Sequence, residues 1–332
     1  MNISVLRHIK YLLISLVMAT SVSNAQTPIQ LHGQLSVKGN KIIDKNGEPV
    51  QLQGMSMFWS QWMGKYYNYK TIKWLIEDWK CSVIRVAVGI GDSGYLQFPE
   101  IENKKITEVI DAAIELGIYV IIDWHDHNAI KHLNESQKFF VQMAKKYGKY
   151  PNIIYETYNE PIHYNWSDNI KPYHISVIDS IRKYDTKNIV LCGTPNWDQE
   201  IDKAAADPIN LPNIAYTVHY YADTHKQWLR DRVTDALNKN IAVFISEYGT
   251  CDASGNGAIN YAESYAWYKF MDDNKLSHCN WSVADKVETA SILKPKASVD
   301  GNWSTNQITP SGLMVRAKLR GEPYAPAKLP VE

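Results

Sequence analysis

Short runs of apolar and β-branched residues recur along the chain, separated by amphipathic segments. The runs are continuous rather than alternating, which is typical of strands buried on both faces of a parallel sheet. We predict eight such strands: Gln51–Ser56, Ser82–Val88, Tyr119–Asp123, Asn152–Tyr158, Asn188–Cys192, Ile214–His219, Ala242–Glu247 and Ser277–Ser282.

The segments between these runs have the spacing of amphipathic helices. Eight strand–helix units in about 290 residues favour a closed (β/α)₈ TIM barrel over an open doubly wound sheet. No G-x-G-x-x-G sequence follows the first strand, which argues against a nucleotide-binding fold. The predicted helices include Thr107–Leu116, Glu135–Tyr147, Ile170–Tyr184, Thr224–Asn238 and Tyr261–Met271.

A β-hairpin is predicted ahead of the barrel, within residues 28–50. The turn Asp44–Gly47 is flanked by the apolar segments Lys41–Ile43 and Val50–Leu52. Asn-Gly turns between apolar runs are a strong hairpin signal. We expect this hairpin to cover the bottom of the barrel.

The N-terminus has the pattern of a secretory signal peptide. A short basic region at Arg7–Lys10 precedes an apolar core at Tyr11–Met18, and Ser23-Asn24-Ala25 supplies the small residues that a signal peptidase requires. The apolar core is too short to span a bilayer. We therefore predict a signal peptide at 1–25, a single catalytic domain at 26–332 and export to the periplasm or the medium.

Composition limits the partners that we expect. The formal net charge of the 332 residues is zero, so nothing in the charge favours nucleic acid or an anionic membrane. Trp and Tyr number 11 and 21 against 6 Phe, a bias that suits a wet binding surface as well as a core. We expect a monomer that binds neither nucleic acid nor, after cleavage of the signal, a membrane.

The four cysteines do not have the spacing of a metal site. Cys81, Cys192, Cys251 and Cys279 are far apart in the sequence, which excludes zinc-type pairs. Three of them adjoin apolar runs, where a buried thiol is the simplest interpretation. A disulfide between Cys251 and Cys279 stays open.

Polar side chains lie at the ends of most predicted strands, where a TIM barrel forms its active site. Two glutamates among them, Glu160 and Glu247, are the pair that acid/base and nucleophilic work on a glycosidic bond requires. Such residues are costly to bury without partners. The set consists of Arg85, His125, His127, Asn159, Glu160, His219, Tyr221, Glu247 and Trp281.

His125-Asp126-His127 also matches the spacing of a metal-binding H-x-H pair. A metallohydrolase would need further ligands at later strand ends, where this chain has Asn159 and Tyr221. We therefore expect no metal site, and we interpret His127 as a loop residue.

Five motifs in register resemble glycoside hydrolase family 5, the retaining β-glycanases, and within it the bacterial endo-β-1,4-glucanase branch. The resemblance covers roughly residues 28–320. The motifs are Trp124-His125, Tyr158-Asn159-Glu160-Pro161, His219-Tyr220-Tyr221, Ser246-Glu247-Tyr248-Gly249 and Asn280-Trp281-Ser282.

The resemblance implies that Glu160 is the acid/base, that Glu247 is the nucleophile and that no cofactor is needed. Glu160 would then be protonated in the free protein, with its pKa raised by the charge of Glu247. Arg85 and Tyr221 would hold Glu247 ionised. Asn159 would bind the sugar 2-hydroxyl, and two histidines would frame the pocket, His125 and His219.

The substrate implied by the resemblance is a β-glucan. Trp62, Trp197 and Trp281 are suited to stack on pyranose rings, with Trp197 on the leaving-group side. Lys286 and Glu288 match positions that bind glucose hydroxyls, which favours β-1,4-glucan over mannan. Phe58 stands where a histidine is common, so one subsite is expected to bind differently.

Two alternatives stay open at this point. The first is the same chemistry on β-mannan or xyloglucan. The second, from another class, is a non-catalytic carbohydrate-binding barrel; the presence of both glutamates together with Arg85 and Tyr221 disfavours it.

Overall fold

The computed structural model describes residues 26–324 and confirms the predicted (β/α)₈ barrel. Eight parallel strands close on themselves, the last pairing with the first. The predicted signal peptide lies outside the described residues. The barrel strands are β3 (Gln53–Met57), β4 (Val83–Gly89), β5 (Tyr119–His125), β6 (Ile153–Glu156), β7 (Ile189–Cys192), β8 (Ile214–Tyr221), β9 (Val243–Gly249) and β10 (Ser277–Val283).

Helices surround the barrel, and all five predicted ones are present. Their exact ends differ from the prediction by a few residues, except that the helix expected from Thr107 begins eight residues earlier, at Pro99. The helices are α1 (Pro28–His32), α2 (Ser60–Met63), α3 (Tyr69–Glu77), α4 (Pro99–Leu116), α5 (Leu133–Tyr147), α6 (Lys171–Arg182), α7 (Pro195–Asp198), α8 (Ile201–Ala206), α9 (Gln227–Asn238), α10 (Tyr261–Asn274) and α11 (Pro310–Arg320).

Strand β4 shows how the apolar runs place polar groups inside the barrel. Side chains alternate between the two faces of a strand. Ile84 and Val86 pack in the layer between the barrel and the helices, whereas Val83 belongs to the cluster at the bottom of the barrel interior. Arg85 therefore points inward, fully buried, midway along the barrel axis.

The N-terminal hairpin is present, but its strands pair differently from the prediction. Strand β2 (Lys41–Ile43) forms an antiparallel ladder with β1 (Ser36–Lys38), not with the predicted segment Val50–Leu52. After the turn, the chain meets β2 only through an isolated Ile43–Pro49 bridge and a hydrogen bond from the Val50 N–H to the Ile42 oxygen, and Pro49 has no N–H to extend a ladder.

The hairpin covers the bottom of the barrel as expected. Leu35, Ile42 and Val50 belong to one buried cluster with Val83, Tyr119 and other residues at the starts of the strands. The opposite end of the barrel, where the strands finish, is left open for the site.

Other expectations are also resolved by the structure. All four cysteines are buried free thiols, so the Cys251–Cys279 disulfide is absent. Between residues 26 and 324, no helix has the length and apolar character needed to cross a membrane.

Candidate active site

A cleft of about 530 Å³ opens at the C-terminal ends of the strands and contains both glutamates. Glu160 lies four residues after the end of β6, and Glu247 lies within β9. A carboxylate oxygen of Glu160 comes within 4.8 Å of one of Glu247. The cleft is lined by His127, Glu160, Trp197, Gln199, His219, Tyr221, Thr224, His225, Glu247 and Ala253.

Arg85 is the cation at the centre of the barrel. Its Nε and Nη2 atoms donate to the two oxygens of Glu156 at 2.7 and 3.3 Å. Its Nη1 atom donates to Oε2 of Glu247 at 3.0 Å, and Nη2 also lies 3.0 Å from Asp123. The planar guanidinium thus holds three carboxylates in fixed directions at once, which a lysine could not do.

Glu247 is held on both of its oxygens. Tyr221 donates its hydroxyl proton to Oε1 at 2.8 Å, while Arg85 occupies Oε2. Burial raises the pKa of Glu247 and the charge of Glu160 adds to this, whereas the neighbouring cations and the Tyr221 hydroxyl oppose it. The carboxylate is therefore oriented before any ligand arrives.

Glu160 sits between two imidazoles. Its Oε1 is 2.9 Å from Nδ1 of His219, and its Oε2 is 3.1 Å from Nε2 of His127. Burial alone would raise the pKa of Glu160, but the two histidines outweigh it and lower that pKa. The expectation that the pKa of Glu160 is raised in the free protein is therefore wrong, because the two histidines outweigh burial.

His219 is one of the two histidines that lower the pKa of Glu160. Burial alone would lower its pKa, but Asp198, Glu156 and Glu160 raise it well above the usual value. Its Nε2 atom is 3.2 Å from Asp198 and 3.0 Å from the Ser246 hydroxyl. The raised pKa values of His219 and His127 and the lowered pKa of Glu160 favour a proton on the imidazoles over one on Glu160.

Asn159 has one end fixed and one end free. Its Oδ1 accepts from Nη2 of Arg85 at 2.6 Å. Its Nδ2 is buried and has no hydrogen-bond partner among the described residues. A buried donor without a partner is costly, so this amide is positioned to be satisfied by a ligand hydroxyl.

His125 and Trp281 form one wall of the site. Their rings stack at 5.1 Å with 4° between the planes, and Trp59 meets His125 edge-on at 4.2 Å. Nδ1 of His125 lies 2.6 Å from Asp123. Burial and the charge of Arg85 hold the pKa of His125 well below its usual value, so this imidazole is neutral.

Trp197 lines the cleft, and the backbone that presents it is strained. Asn196, Trp197 and Asp198 all have positive φ, between 53° and 58°. Such a conformation costs energy for residues other than glycine and is typical of functional sites. It leaves 42% of Trp197 exposed at the cleft while Asp198 turns inward to His219.

The remaining predicted residues surround the two glutamates at a greater distance from the centre of the site. Trp62 is 52% exposed and contacts Trp59 and Phe58. Lys286 and Glu288 pair at 2.5 Å and line a neighbouring groove of about 610 Å³. The Lys286 ammonium also lies 5.6 Å from the centre of the Phe58 ring.

Two sets of donor atoms are close enough to be considered for a metal. They are Glu156, Asp198 and His219, and Glu160, His219 and Glu247, each with ligand atoms within 4.8 Å. Glu156 and Glu247 already bind Arg85, and His219 already contacts Glu160 and Asp198. The H-x-H pair does not converge, because His125 faces Asp123 and His127 faces Glu160.

The sequence reasoning missed three residues of this network and gave a fourth, His127, too small a role. His127, interpreted as a loop residue, contacts Glu160 directly. Asp123, Glu156 and Asp198 are fully buried around the two cations. Asp123 and Glu156 lie on predicted strands. A charged residue within an otherwise apolar strand was the sequence signal that could have identified them.

A barrel with two carboxylates facing each other across an open cleft has the architecture of a glycoside hydrolase. Residues 43–287 match the model of the cellulase family, glycosyl hydrolase family 5. The chain belongs to this family.

Individual relatives agree with this assignment. Endoglucanase Z of Dickeya dadantii is 45% identical over 307 residues, covering 91% of this chain and 69% of that protein. A structure from Cytophaga hutchinsonii is 54% identical, with a TM-score of 0.88 and coverage of 89% of this chain and 97% of that chain.

A second similar structure contains a sugar. It is the catalytic domain of endoglucanase Cel5A (E5) from Thermobifida fusca in complex with cellotetraose, 30% identical with a TM-score of 0.86, covering 89% of this chain and all of that chain. The chain spans about two thirds of the length of the first curated relatives that it matches, 65% and 69%.

Proposed function

We propose that the protein is a retaining endo-β-1,4-glucanase that cleaves internal bonds of cellulose or related β-glucans. One observation carries the proposal: oxygens of Glu160 and Glu247 lie within 4.8 Å of each other. Retaining glycosidases have their two carboxyl groups about 5–5.5 Å apart, whereas inverting enzymes need about 6.5–9.5 Å to admit a water.

The environments of the two glutamates assign their roles. Glu247, whose two oxygens are fixed by hydrogen bonds from Arg85 and Tyr221, is suited to attack the anomeric carbon. Glu160, in contact with two imidazoles whose pKa values are raised, is suited to pass a proton to the leaving-group oxygen. The bond from the anomeric carbon to that oxygen breaks as the bond to Glu247 forms.

The second step reverses these roles. The resulting ester removes the charge of Glu247, and Glu160 is left as a carboxylate. Glu160 then takes a proton from water, whose oxygen attacks the anomeric carbon and releases Glu247. The unsatisfied Nδ2 of Asn159 is available to bind the sugar 2-hydroxyl during both steps.

The substrate class is supported by the aromatic surface and by the relatives. Trp197 and Trp62 offer exposed indole rings near the cleft, and Trp281 stacks on His125 in its wall. The paired Lys286 and Glu288 lie beyond Phe58, where they could bind glucose hydroxyls. The relatives are named endoglucanases, and one was solved with cellotetraose.

The test is the release of reducing ends from a panel of soluble polysaccharides. We expect carboxymethylcellulose and mixed-linkage β-glucan to be cleaved with a rapid loss of viscosity. Preferred cleavage of β-mannan or xyloglucan would support the first alternative. Binding of glucan without any product would support the non-catalytic barrel and contradict the proposal.

We further propose that the protein is exported and acts as a monomer. The N-terminal pattern of residues 1–25 supports export to the periplasm or medium. Fractionation of cells, with sequencing of the mature N-terminus, tests cleavage after Ala25. Light scattering of the mature protein tests the monomer.

A further inference from the structure

We propose that Trp228 is an outer sugar-binding position on the leaving-group side of the cleft, where its indole stacks on a glucosyl unit of a long β-glucan. The inference rests on the proposed function, which defines the leaving-group side through Glu160. It concerns a residue outside the motifs of the sequence analysis and outside the residues that line the catalytic cleft.

The fold places Trp228 on the rim of the active-site face. Strand β8 ends at Tyr221, which contacts Glu247, and helix α9 begins at Gln227. Trp228 is the second residue of that helix and therefore lies in its first turn, at the strand-end side of the barrel. Its ring is 5.8 Å from the ring of His225, which lines the cleft.

A second contact joins Trp228 to another residue of the cleft wall, Gln199. The guanidinium of Arg232 lies 5.3 Å from the centre of the indole. Nη1 of Arg232 donates to the backbone oxygen of Gln199 at 3.0 Å, and Gln199 lines the cleft. The indole is thus held in place before a ligand binds, which lowers the entropy that stacking would cost.

The direction of this extension follows from the segment that carries Trp197. The N–H of Trp197 donates to the backbone oxygen of Pro161 at 3.2 Å, and Pro161 directly follows Glu160. Residues 197–199 therefore lie on the side of the proton donor, where the leaving group is bound. Gln199 contacts Arg232, and Arg232 contacts Trp228. Trp228 therefore lies on the same side of the cleft, farther from the reacting bond.

Exposure distinguishes Trp228 from a packing residue. Single exposed apolar residues are common on protein surfaces. Trp228 differs from them because 42% of its side chain is exposed while His225 and Arg232 fix its position. It is absent from the buried clusters that form the core of the described residues. A flat indole held at the rim of a polar cleft is suited to the apolar face of a pyranose ring.

The test compares long and short substrates in one protein. The measured quantity is the ratio of kcat/KM for cellohexaose to kcat/KM for an aryl β-cellobioside, whose aryl group ends close to Glu160. We expect Trp228→Ala to lower this ratio about tenfold, the loss of one aromatic stacking contact. Trp228→Phe keeps a flat ring and is expected to lower the ratio less.

Tyr184→Ala is the matched control. Tyr184 is also exposed and also lies under a cation, Lys145 at 4.8 Å, but it follows the C-terminal end of α6 at the opposite end of the barrel. Its substitution is expected to leave the ratio unchanged. Thermal melting of the three variants verifies that each is folded.

An unchanged ratio in Trp228→Ala, or equal losses in the Ala and Phe variants, would overturn the inference. Failure of the wild-type protein to cleave cellohexaose at all would instead contradict the proposed function. The two failures are therefore distinguishable in the same experiment.

Discussion

Arg85 and Glu247 form a buried ion pair with 3.0 Å between Nη1 and Oε2. The pair joins the middle of the barrel to the cleft, because the same guanidinium also binds Glu156 on the neighbouring wall. Desolvation makes an isolated pair of this kind a weak source of stability, but removing one partner leaves the other charge buried and unpaired. The stability of the barrel and the orientation of Glu247 therefore both depend on Arg85.

Arg85→Met is expected to destabilise the protein by about 3–5 kcal/mol, because the carboxylates around it lose their cation. Urea denaturation of the wild type and the variant measures this difference. Arg316→Met is the matched control: Arg316 also pairs with both oxygens of one acid, Asp78, but at a partly exposed position. Its loss is expected to cost about 1 kcal/mol or less, and equal costs at both sites would contradict the account.

Tyr221→Phe is expected to reduce kcat/KM on β-glucan about 10- to 100-fold, the value of a hydrogen bond to a charged group. The hydroxyl lowers the pKa of Glu247 by stabilising its ionised form. Removing it raises that pKa, so the acid limb of the pH profile moves to higher pH. A pH series of kcat/KM measures both effects.

The neighbouring Tyr220 provides the control for this substitution. Its hydroxyl is buried and has no hydrogen-bond partner among the described residues. Tyr220→Phe is therefore expected to leave the acid limb in place. A shift of similar size in both variants would show that the Tyr221 contact does not set the ionisation of Glu247.

His127→Gln is expected to destabilise the protein most between pH 4.5 and 6.5, the ordinary pKa values of glutamate and histidine. The folded protein raises the pKa of His127, so this contribution is complete below pH 6.5 and is lost as the pH rises through the raised value. Folding also lowers the pKa of Glu160. The contribution of this carboxylate to stability is therefore lost as the pH falls through the lowered pKa.

Melting temperatures across pH 3–9 test this prediction. The same substitution made in a Glu160→Gln background provides the control, because the pair is already broken there. The difference between the changes in melting temperature in the two backgrounds measures the interaction between His127 and Glu160. A difference that does not change with pH would contradict an ion pair between His127 and Glu160.

The barrel could be predicted from sequence because its strands are buried on both faces and read as continuous apolar runs. The hairpin was predicted with the wrong partner strand. A turn sequence such as Asp44–Gly47 identifies a reversal of the chain, but Pro49 next to it cannot donate to a ladder. The start of α4 was missed because its first turns, Pro99–Ile106, carry four charged residues and show little apolar periodicity.

Within the site, strand ends identified the residues that face the cleft, but not the buried acids below them. Asp123 and Glu156 are part of the site because they form ion pairs with Arg85. Arg85 is 38 and 71 positions away from them in the sequence (123 − 85 and 156 − 85). Likewise, the pKa of Glu160 depends on two histidines from different loops and strands. Sequence motifs specify which residues are present, whereas the direction of a pKa shift depends on distances of a few ångströms.

The central claim is that Glu160 supplies a proton and Glu247 a covalent bond. The most direct test measures kcat/KM of Glu160→Gln and Glu247→Gln on soluble β-glucan and on a dinitrophenyl β-cellobioside, whose leaving group needs no proton. Glu160→Gln is expected to lose about 10²- to 10⁴-fold on the glucan while keeping turnover of the aryl substrate, and Glu247→Gln is expected to lose both. Retained glucan hydrolysis in Glu247→Gln, or equal losses on both substrates in Glu160→Gln, would contradict the account.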